Sequence, residues 1–325
     1  HGSKLITNDN LNDWDNRIFR YMKRKTKNTC YSSLSFALEF EAFKRSVQTL
    51  SSPKLLHYWL GDNDYYYGYW IRRFTGSKIA VNIFFSLEEL IERMPNKSHL
   101  LKADLITCSG LKQMEYLSQF IPETKLAFLP LGIDTDFFSP LNDNNLNNPT
   151  LILQVGFNRR DFQLLKKVFI ELKKELPDLS LEMAIGNQNV EKIFSGMDGI
   201  TFHPFLYEND LKNMYQKASM LILPLLEGGS SQSMNEALSC GLPIVTNDLP
   251  ILSDYTGSDA IISCEPGNVK QMTKACLLIL KNDRVRKEMA KQARIHALQF
   301  DYINIFNKLL EIYREKLGFN IVLEQ

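Results

Sequence analysis

From residue 151 onward, short apolar runs alternate with longer stretches in which apolar positions recur every three or four residues. The runs at 151–155, 181–185, 200–203, 220–225 and 243–246 are short and show little polar alternation. They predict strands buried on both faces. Between them the helical period predicts helices over 161–176, with Asp161 as N-cap, over 208–218 and over 231–240. Two further helices, 269–280 and 284–299, close the block. Strand and helix in alternation predict a parallel sheet with helices on both sides. Ahead of residue 141 the same pattern is weaker. Helices are expected over 12–25 and 34–50, strands at 55–59, 79–84, 104–108 and 125–129, with helices between the strands. This half is short for a full doubly wound domain, and no Gly-rich turn follows a strand at its start. Either it is abbreviated or its first strand lies outside the sequence given. The stretch 141–149, LNDNNLNNP, favours turns and reads as a linker. The expected domains are therefore 1–142 and 150–301, with a final helical segment, 302–325, that follows the second but could pack back onto the first.

A length of 325 residues suits about two domains. Hydrophobic residues at 44% and charged residues at 23% are ordinary for a globular chain, and no apolar run approaches the length of a membrane span. A net charge of +1 gives no global reason to expect nucleic acid as a partner. Five scattered cysteines without CxxC spacing indicate neither a zinc site nor a disulfide framework. A reducing, cytoplasmic setting is expected. No Asp/His cluster calls for a metal. His1-Gly2-Ser3 reads as the scar of a cleaved tag, and no leader-like apolar segment occupies the first thirty residues.

The segment 223–243, LPLLEGGSSQSMNEALSCGLP, carries the strongest chemistry. A buried strand ends near Pro224, and the carboxylate of Glu227 follows at its mouth. Then come Gly228, Gly229, Ser230, Ser231, Gln232 and Ser233, leading into a helix that bears Glu236. In open α/β sheets ligands bind outside the carboxyl ends of the strands. A helix N-terminus there suits a phosphate, and glycines let backbone approach it. A carboxylate beside it would repel phosphate and instead accept hydrogen bonds from hydroxyls. The combination asks for a sugar nucleotide; the alternative is a Gly-Ser loop with a solvated glutamate.

This segment resembles the donor site of the retaining, family-4-type glycosyltransferases of GT-B fold. The resemblance rests on Glu227, the small-residue loop, Glu236-Ala237, and Cys240-Gly241-Leu242-Pro243-Ile244-Val245. Leu129-Pro130-Leu131-Gly132-Ile133-Asp134, with Phe137 and Pro140, is similar to the family's hinge segment. Val155-Gly156 and Arg159-Arg160-Asp161-Phe162 resemble its first donor-domain strand and phosphate-binding turn. The resemblance covers about 103–313. It implies an α/β, GT-B protein with two Rossmann-like doubly wound domains facing a cleft, the N-terminal one abbreviated. It also implies transfer of a sugar from a nucleoside-diphosphate sugar, as co-substrate and without cofactor or metal, to a glycan, lipid-linked or protein acceptor hydroxyl. By the same resemblance Arg160, with Arg159 sharing the work, contacts the pyrophosphate, and Glu227 binds donor-sugar hydroxyls. The amides of Gly228 to Ser231, with Gly156 and Gln232 nearby, meet sugar or phosphate. Glu236 takes the ribose hydroxyls, and Phe205 and Leu206 meet the base. Surface glycan or glycolipid biosynthesis is the expected setting.

The departures concern the acceptor side. Glu227 and Glu236 are nine positions apart where the family commonly has eight, and Phe157 stands where many members have arginine. Phe84 occupies the position at which many members place a histidine, so His57, followed by Asp62 and Asn63, is the candidate substitute. Two other readings stay open: a glycosyltransferase-like binding subunit without catalysis, and a sugar-nucleotide epimerase of the same fold. The 17–27 segment (Arg17, Arg20, Lys23, Arg24, Lys25 and Lys27, without an acid) suggests peripheral contact with the inner face of a membrane, or else a solvated charged face. Trp59, Tyr65, Tyr66, Tyr67, Tyr69 and Trp70 would stack on sugar rings or pack beneath the first domain.

Overall fold

The structure is a computed structural model that describes residues 17–48, 54–141, 150–228, 231–255 and 258–319. Its contacts divide the chain into two units, 1–130 with 307–325, and 131–306.

In the first unit, α1 (Arg17–Thr26) and α2 (Ser33–Gln48) precede β1 (Leu55–Tyr58), α3 (Gly61–Asp64) and α4 (Tyr69–Thr75). Then follow β2 (Lys78–Ile83), α5 (Leu87–Arg93), β3 (Leu105–Cys108), α6 (Leu111–Ser118) and β4 (Leu126–Phe128). The four strands are parallel in the order β1-β2-β3-β4. Ile79, Val81, Ile83, Ile106 and Cys108 supply the core beneath them. Among the described residues this order does not reverse. Asp62 and Asn63, expected on a loop, lie on the short α3. Two buried carboxylates tie the unit together. Glu39 accepts from the backbone N–H groups of Tyr66, Tyr67 and Gly68 at 2.7, 3.0 and 2.6 Å, and from Tyr31 Oη. Asp62 Oδ2 accepts from Phe84 N at 2.7 Å. Burial raises both carboxyls to about 7 against these opposing hydrogen bonds. Of the aromatic run, Tyr65 and Tyr66 are buried, Tyr67 and Tyr69 half-buried, and only Trp59 and Trp70 exposed.

The second unit contains β5 (Leu151–Val155), α7 (Phe162–Glu175), β6 (Ser180–Ala184), α8 (Gln188–Ile193), β7 (Ile200–Phe202) and α9 (Glu208–Lys217). It continues with β8 (Met220–Leu223), α10 (Gln232–Ser239), β9 (Ile244–Asn247), β10 (Ile261–Cys264), α11 (Val269–Leu280) and α12 (Asp283–Ala297). All six strands are parallel, in the order β10-β9-β8-β5-β6-β7. The chain winds outward from β5 to β7, then returns to β8 on the other side of β5. That reversal puts a crevice at the carboxyl ends of β5 and β8. The pattern of residues alone shows neither β10 nor α8. The four residues of β10 become a strand through their pairing with β9.

The unit boundary falls after Pro130, ahead of the expected one at 142. The segment 131–141 belongs to the second unit because its backbone is bonded there. Ile133 bridges Asp301, Ser239 Oγ donates to the Phe138 carbonyl, and Arg294 Nη1 donates to the carbonyls of Thr135 and Phe138 at 2.9 and 3.0 Å. The helix α13 (Tyr302–Leu317) begins in the second unit and ends in the first. Its Tyr302 explains Gly132, where a methyl group would sit 2.6 Å from the ring. The linker residues 142–149 lie outside the described residues.

Candidate functional site

The turn after β5 and the loop after β8 meet at the sheet reversal. There the two backbones run antiparallel: Asp161 N donates to Pro224 O at 2.7 Å, Leu226 N donates to Arg159 O at 2.9 Å, and Arg160 bridges Leu225. Buried Asn247, at the end of β9, donates to Leu225 O at 2.6 Å and steadies the β8 loop from the far side. Gly156 opens the first turn with φ +76°, a left-handed conformation suited to glycine. A buried glutamine inside β5, Gln154, donates to the Gly156 carbonyl at 2.7 Å and fixes that turn. The side chains of 159, 160 and 227 are thereby placed by backbone pairing rather than by local sequence.

The two arginines have different surroundings. Arg159, at φ +53°, donates from Nη1 to Glu227 Oε1 at 2.8 Å. Arg160 turns inward, donating from Nη2 to Ser233 Oγ at 3.3 Å and from Nη1 to the Asn158 carbonyl at 3.0 Å. Its Nε is buried without a partner among the described residues, and no described carboxylate lies within ion-pair distance. Burial lowers its guanidinium to about 10. A desolvated cation without an anion is costly unless a ligand supplies the charge.

Next to it, Ser231 stands at the N-cap position ahead of α10, and its side chain makes no capping bond to the helix. The first N–H groups of a helix have no acceptor within it, and they face the same end of the sheet as Arg160. Ser231 Oγ lies 3.1 Å from Ser233 Oγ. One turn on, Glu236 Oε2 accepts from the hydroxyl of buried Tyr215 at 2.8 Å. Burial raises Glu236 to about 7, against the hydrogen bonds from Tyr215 and Gln232.

Of the residues expected from sequence, Gly156, Arg159, Arg160, Glu227, Gly228, Ser231, Gln232 and Glu236 lie on these two loops and the start of α10. Gly229 and Ser230 fall outside the described residues. Phe205 and Leu206 follow β7, at the outer end of the same sheet; Phe205 is 93% exposed, while Leu206 packs against the core. His57 lies in the first unit, on β1. Its Nδ1 is hydrogen-bonded to Tyr313 Oη, its Nε2 is buried, and its ring is edge-on to Trp59. Phe84 also packs edge-on against Trp59, at 6.1 Å. Sequence reasoning missed Gln154 and Tyr215 as supports of the site, and named Ser233 only within the run of hydroxyl side chains, not as the partner of Arg160. A glutamine within the apolar run LILQV was a readable signal; Tyr215 gave none. Among the described residues no group of three or more His, Cys, Asp or Glu is placed to hold a metal ion.

With this geometry in hand, the chain can be compared with known proteins. The sequence model of the family described as "Glycosyl transferases group 1" matches residues 140–296. The chain is similar to an uncharacterized glycosyltransferase of Haemophilus influenzae, 29% identical over 160 residues that make up 46% of this chain and 44% of that protein. The matched stretches cover 44%, 54% and 40% of three curated relatives, so the chain spans about half their length. A glycosyltransferase structure from Rickettsia africae superposes with a TM-score of 0.69 at 14% identity, covering 94% of this chain and 89% of that one. The structure of Anabaena HepE, solved with UDP and glucose, gives 0.66 at 11% identity, covering 86% and 80%. The chain therefore has the GT-B fold of two Rossmann-like domains, and its residues 140–296 carry the sequence pattern of the group 1 glycosyl transferases.

Proposed function

We propose that this chain is a retaining glycosyltransferase that moves a sugar from a nucleoside-diphosphate sugar to an acceptor hydroxyl, in glycan or glycolipid biosynthesis. The observation that carries the reading is Arg160: a half-buried guanidinium with a buried Nε and without a described carboxylate partner, beside the start of α10 at the sheet reversal. That arrangement suits a diphosphate. Arg160 and the α10 amides would hold the phosphates and offset the charge that builds as the nucleoside diphosphate departs. Glu236, held by Tyr215, would accept from the ribose hydroxyls. Glu227 would accept from hydroxyls of the transferred sugar. The acceptor oxygen would attack on the face the leaving group vacates, passing its proton to a phosphate oxygen. The chemistry requires no metal. Exposed Phe205 would lie against the base.

HepE was solved with UDP and glucose, which makes UDP the first nucleotide to try. A thermal-shift series across nucleoside diphosphates should single out one base, because a ligand that binds only the folded state raises its apparent stability. With the matching sugar nucleotide and an acceptor, proton NMR of the product should show the donor's anomeric configuration. Failure of every nucleoside diphosphate to bind would remove the reading, and an inverted product would remove the retaining assignment.

A further inference from the structure

We infer that the outer face of α1, α2 and α4 docks onto an anionic lipid bilayer, a role independent of the donor site. Phe19, buried on the inner side of α1, packs against Phe36 of α2 with ring centroids 6.1 Å apart. The Tyr66 hydroxyl donates to the Lys25 carbonyl at 3.4 Å and further fastens the helix. With that side anchored, Arg20, Lys23, Arg24 and Lys25 are exposed, as is Lys27 just beyond, and no acid lies among them. Tyr21 is 61% exposed, and Lys25 Nζ stands 4.6 Å from its ring centroid.

The basic helix adjoins an apolar stripe. On α2, Phe36, Phe40, Phe43 and Val47 recur at helical spacing and share one face. Phe36 meets α1, and Phe43 meets Phe74 of α4 at 6.0 Å. Phe40 and Val47 between and beyond them are 40% and 39% exposed; Phe74 is 62% exposed, and Trp70, one turn earlier on α4, is 45% exposed. Exposed Lys44 and Arg45, which share Glu41 at 3.0 and 2.9 Å and leave one net positive charge, flank the stripe together with Arg73, which lies 5.9 Å from the Trp70 ring. Apolar and aromatic side chains ringed by cations match the boundary of an anionic leaflet, where rings sit at headgroup level and cations meet phosphate. A soluble polyanion would use the cations and leave the apolar stripe wet. Among the described residues no helix is long and apolar enough to cross a membrane.

The test is co-sedimentation of the whole chain with vesicles of phosphatidylcholine alone and of phosphatidylcholine mixed with phosphatidylglycerol. Binding is expected only to the mixed vesicles and should weaken as salt rises. Changing Arg20, Lys23, Arg24 and Lys25 together to glutamine should weaken it about tenfold or more. Phe74→Ser should weaken it at every salt concentration. Brominated lipid should quench tryptophan emission in the bound protein, and Trp70→Phe should remove most of that quenching. All substitutions are at exposed side chains, and circular dichroism together with nucleotide affinity reports whether each variant is folded. The inference is overturned if mixed vesicles do not bind, if the folded quadruple variant binds as tightly as the parent, or if binding leaves tryptophan unquenched, as an electrostatic contact alone would.

Discussion

Arg159 and Glu227, separated by 68 positions in the chain, hold each other at 2.8 Å. The family resemblance implies phosphate oxygens as ligands of Arg159, and the proposed function gives Glu227 sugar hydroxyls. Here each occupies its partner, so a donor must compete with the pair at both ends. The ion pair aims Glu227, and Arg159 enters it from a left-handed backbone, φ +53°.

Glu227→Gln should therefore separate sugar handling from nucleotide binding. It removes the charged acceptor for sugar hydroxyls and also releases Arg159. Transfer should fall about tenfold or more, the equivalent of one hydrogen bond to a charged group. Affinity for the nucleoside diphosphate should hold within about twofold or rise. Initial rates and titration calorimetry report the two, and equal loss of both would contradict the role given to Glu227.

Arg160→Ala should weaken nucleoside diphosphate binding by about 1.5–3 kcal/mol, the range for a hydrogen bond to a charged group. Ser233→Ala, which removes only a neutral partner of Arg160, should cost less, about 0.5–1.5 kcal/mol. The folded variants need not lose stability, because removing Arg160 also removes a desolvated cation. Calorimetry with unchanged affinity in Arg160→Ala would take this residue out of the site.

Glu236 gives the site a pH dependence. Its carboxyl is raised from 4.5 to about 7, by burial first. The sign follows from linkage: the neutral form's stabilising contribution is whole below about 4.5 and is lost as pH rises through about 7. Ribose hydroxyls donating to the carboxylate would favour its ionised form. Nucleotide binding near neutral pH should then release protons, measurable by calorimetry in buffers of differing ionisation enthalpy. Glu236→Gln should abolish that release; its persistence would assign the proton to another group.

Glu39→Ala should be strongly destabilising. It strips the acceptor from three backbone N–H groups and from Tyr31 Oη, all in a buried setting. Unsatisfied buried donors cost about 1–3 kcal/mol each, so a loss of about 3 kcal/mol or more is expected in urea unfolding. Glu39→Gln keeps an acceptor oxygen and should lose less. An alanine variant of parental stability would mean the nest closes without the carboxylate.

His57 should prove structural. Burial lowers its imidazole to about 4, so it is neutral across the working pH range, and its Nδ1 is bonded to Tyr313. His57→Gln should cost about 1 kcal/mol of stability while the pH–rate profile keeps its shape. Tyr313→Phe should give a similar loss. A rate collapse in His57→Gln at parental stability would instead return the residue to the acceptor-side chemistry.

The alternation of apolar runs and helical periods by itself specified the parallel sheets, although of the runs expected to be buried on both faces only β5, β8 and β9 are; β6 alternates and the edge strand β7 is partly exposed, because nothing pairs beyond it among the described residues. The spacing from Glu227 to Val245 likewise announced a carboxylate, a small-residue loop and a helix start at a strand's mouth. Local pattern could not announce β10, a four-residue run that is a strand through its pairing with β9. Nor could it place residues 131–141, which look like the tail of the first domain but are bonded to Ser239, Arg294 and Asp301. Tertiary structure alone decided which charges meet. The sheet order reverses at β5 and β8, and the backbones of the turns that follow them pair antiparallel. That distant pairing turns Arg159 toward Glu227 and Arg160 into the interior, since the partners of a side chain depend on which strand lies beside its own and not on the residues beside it in the chain.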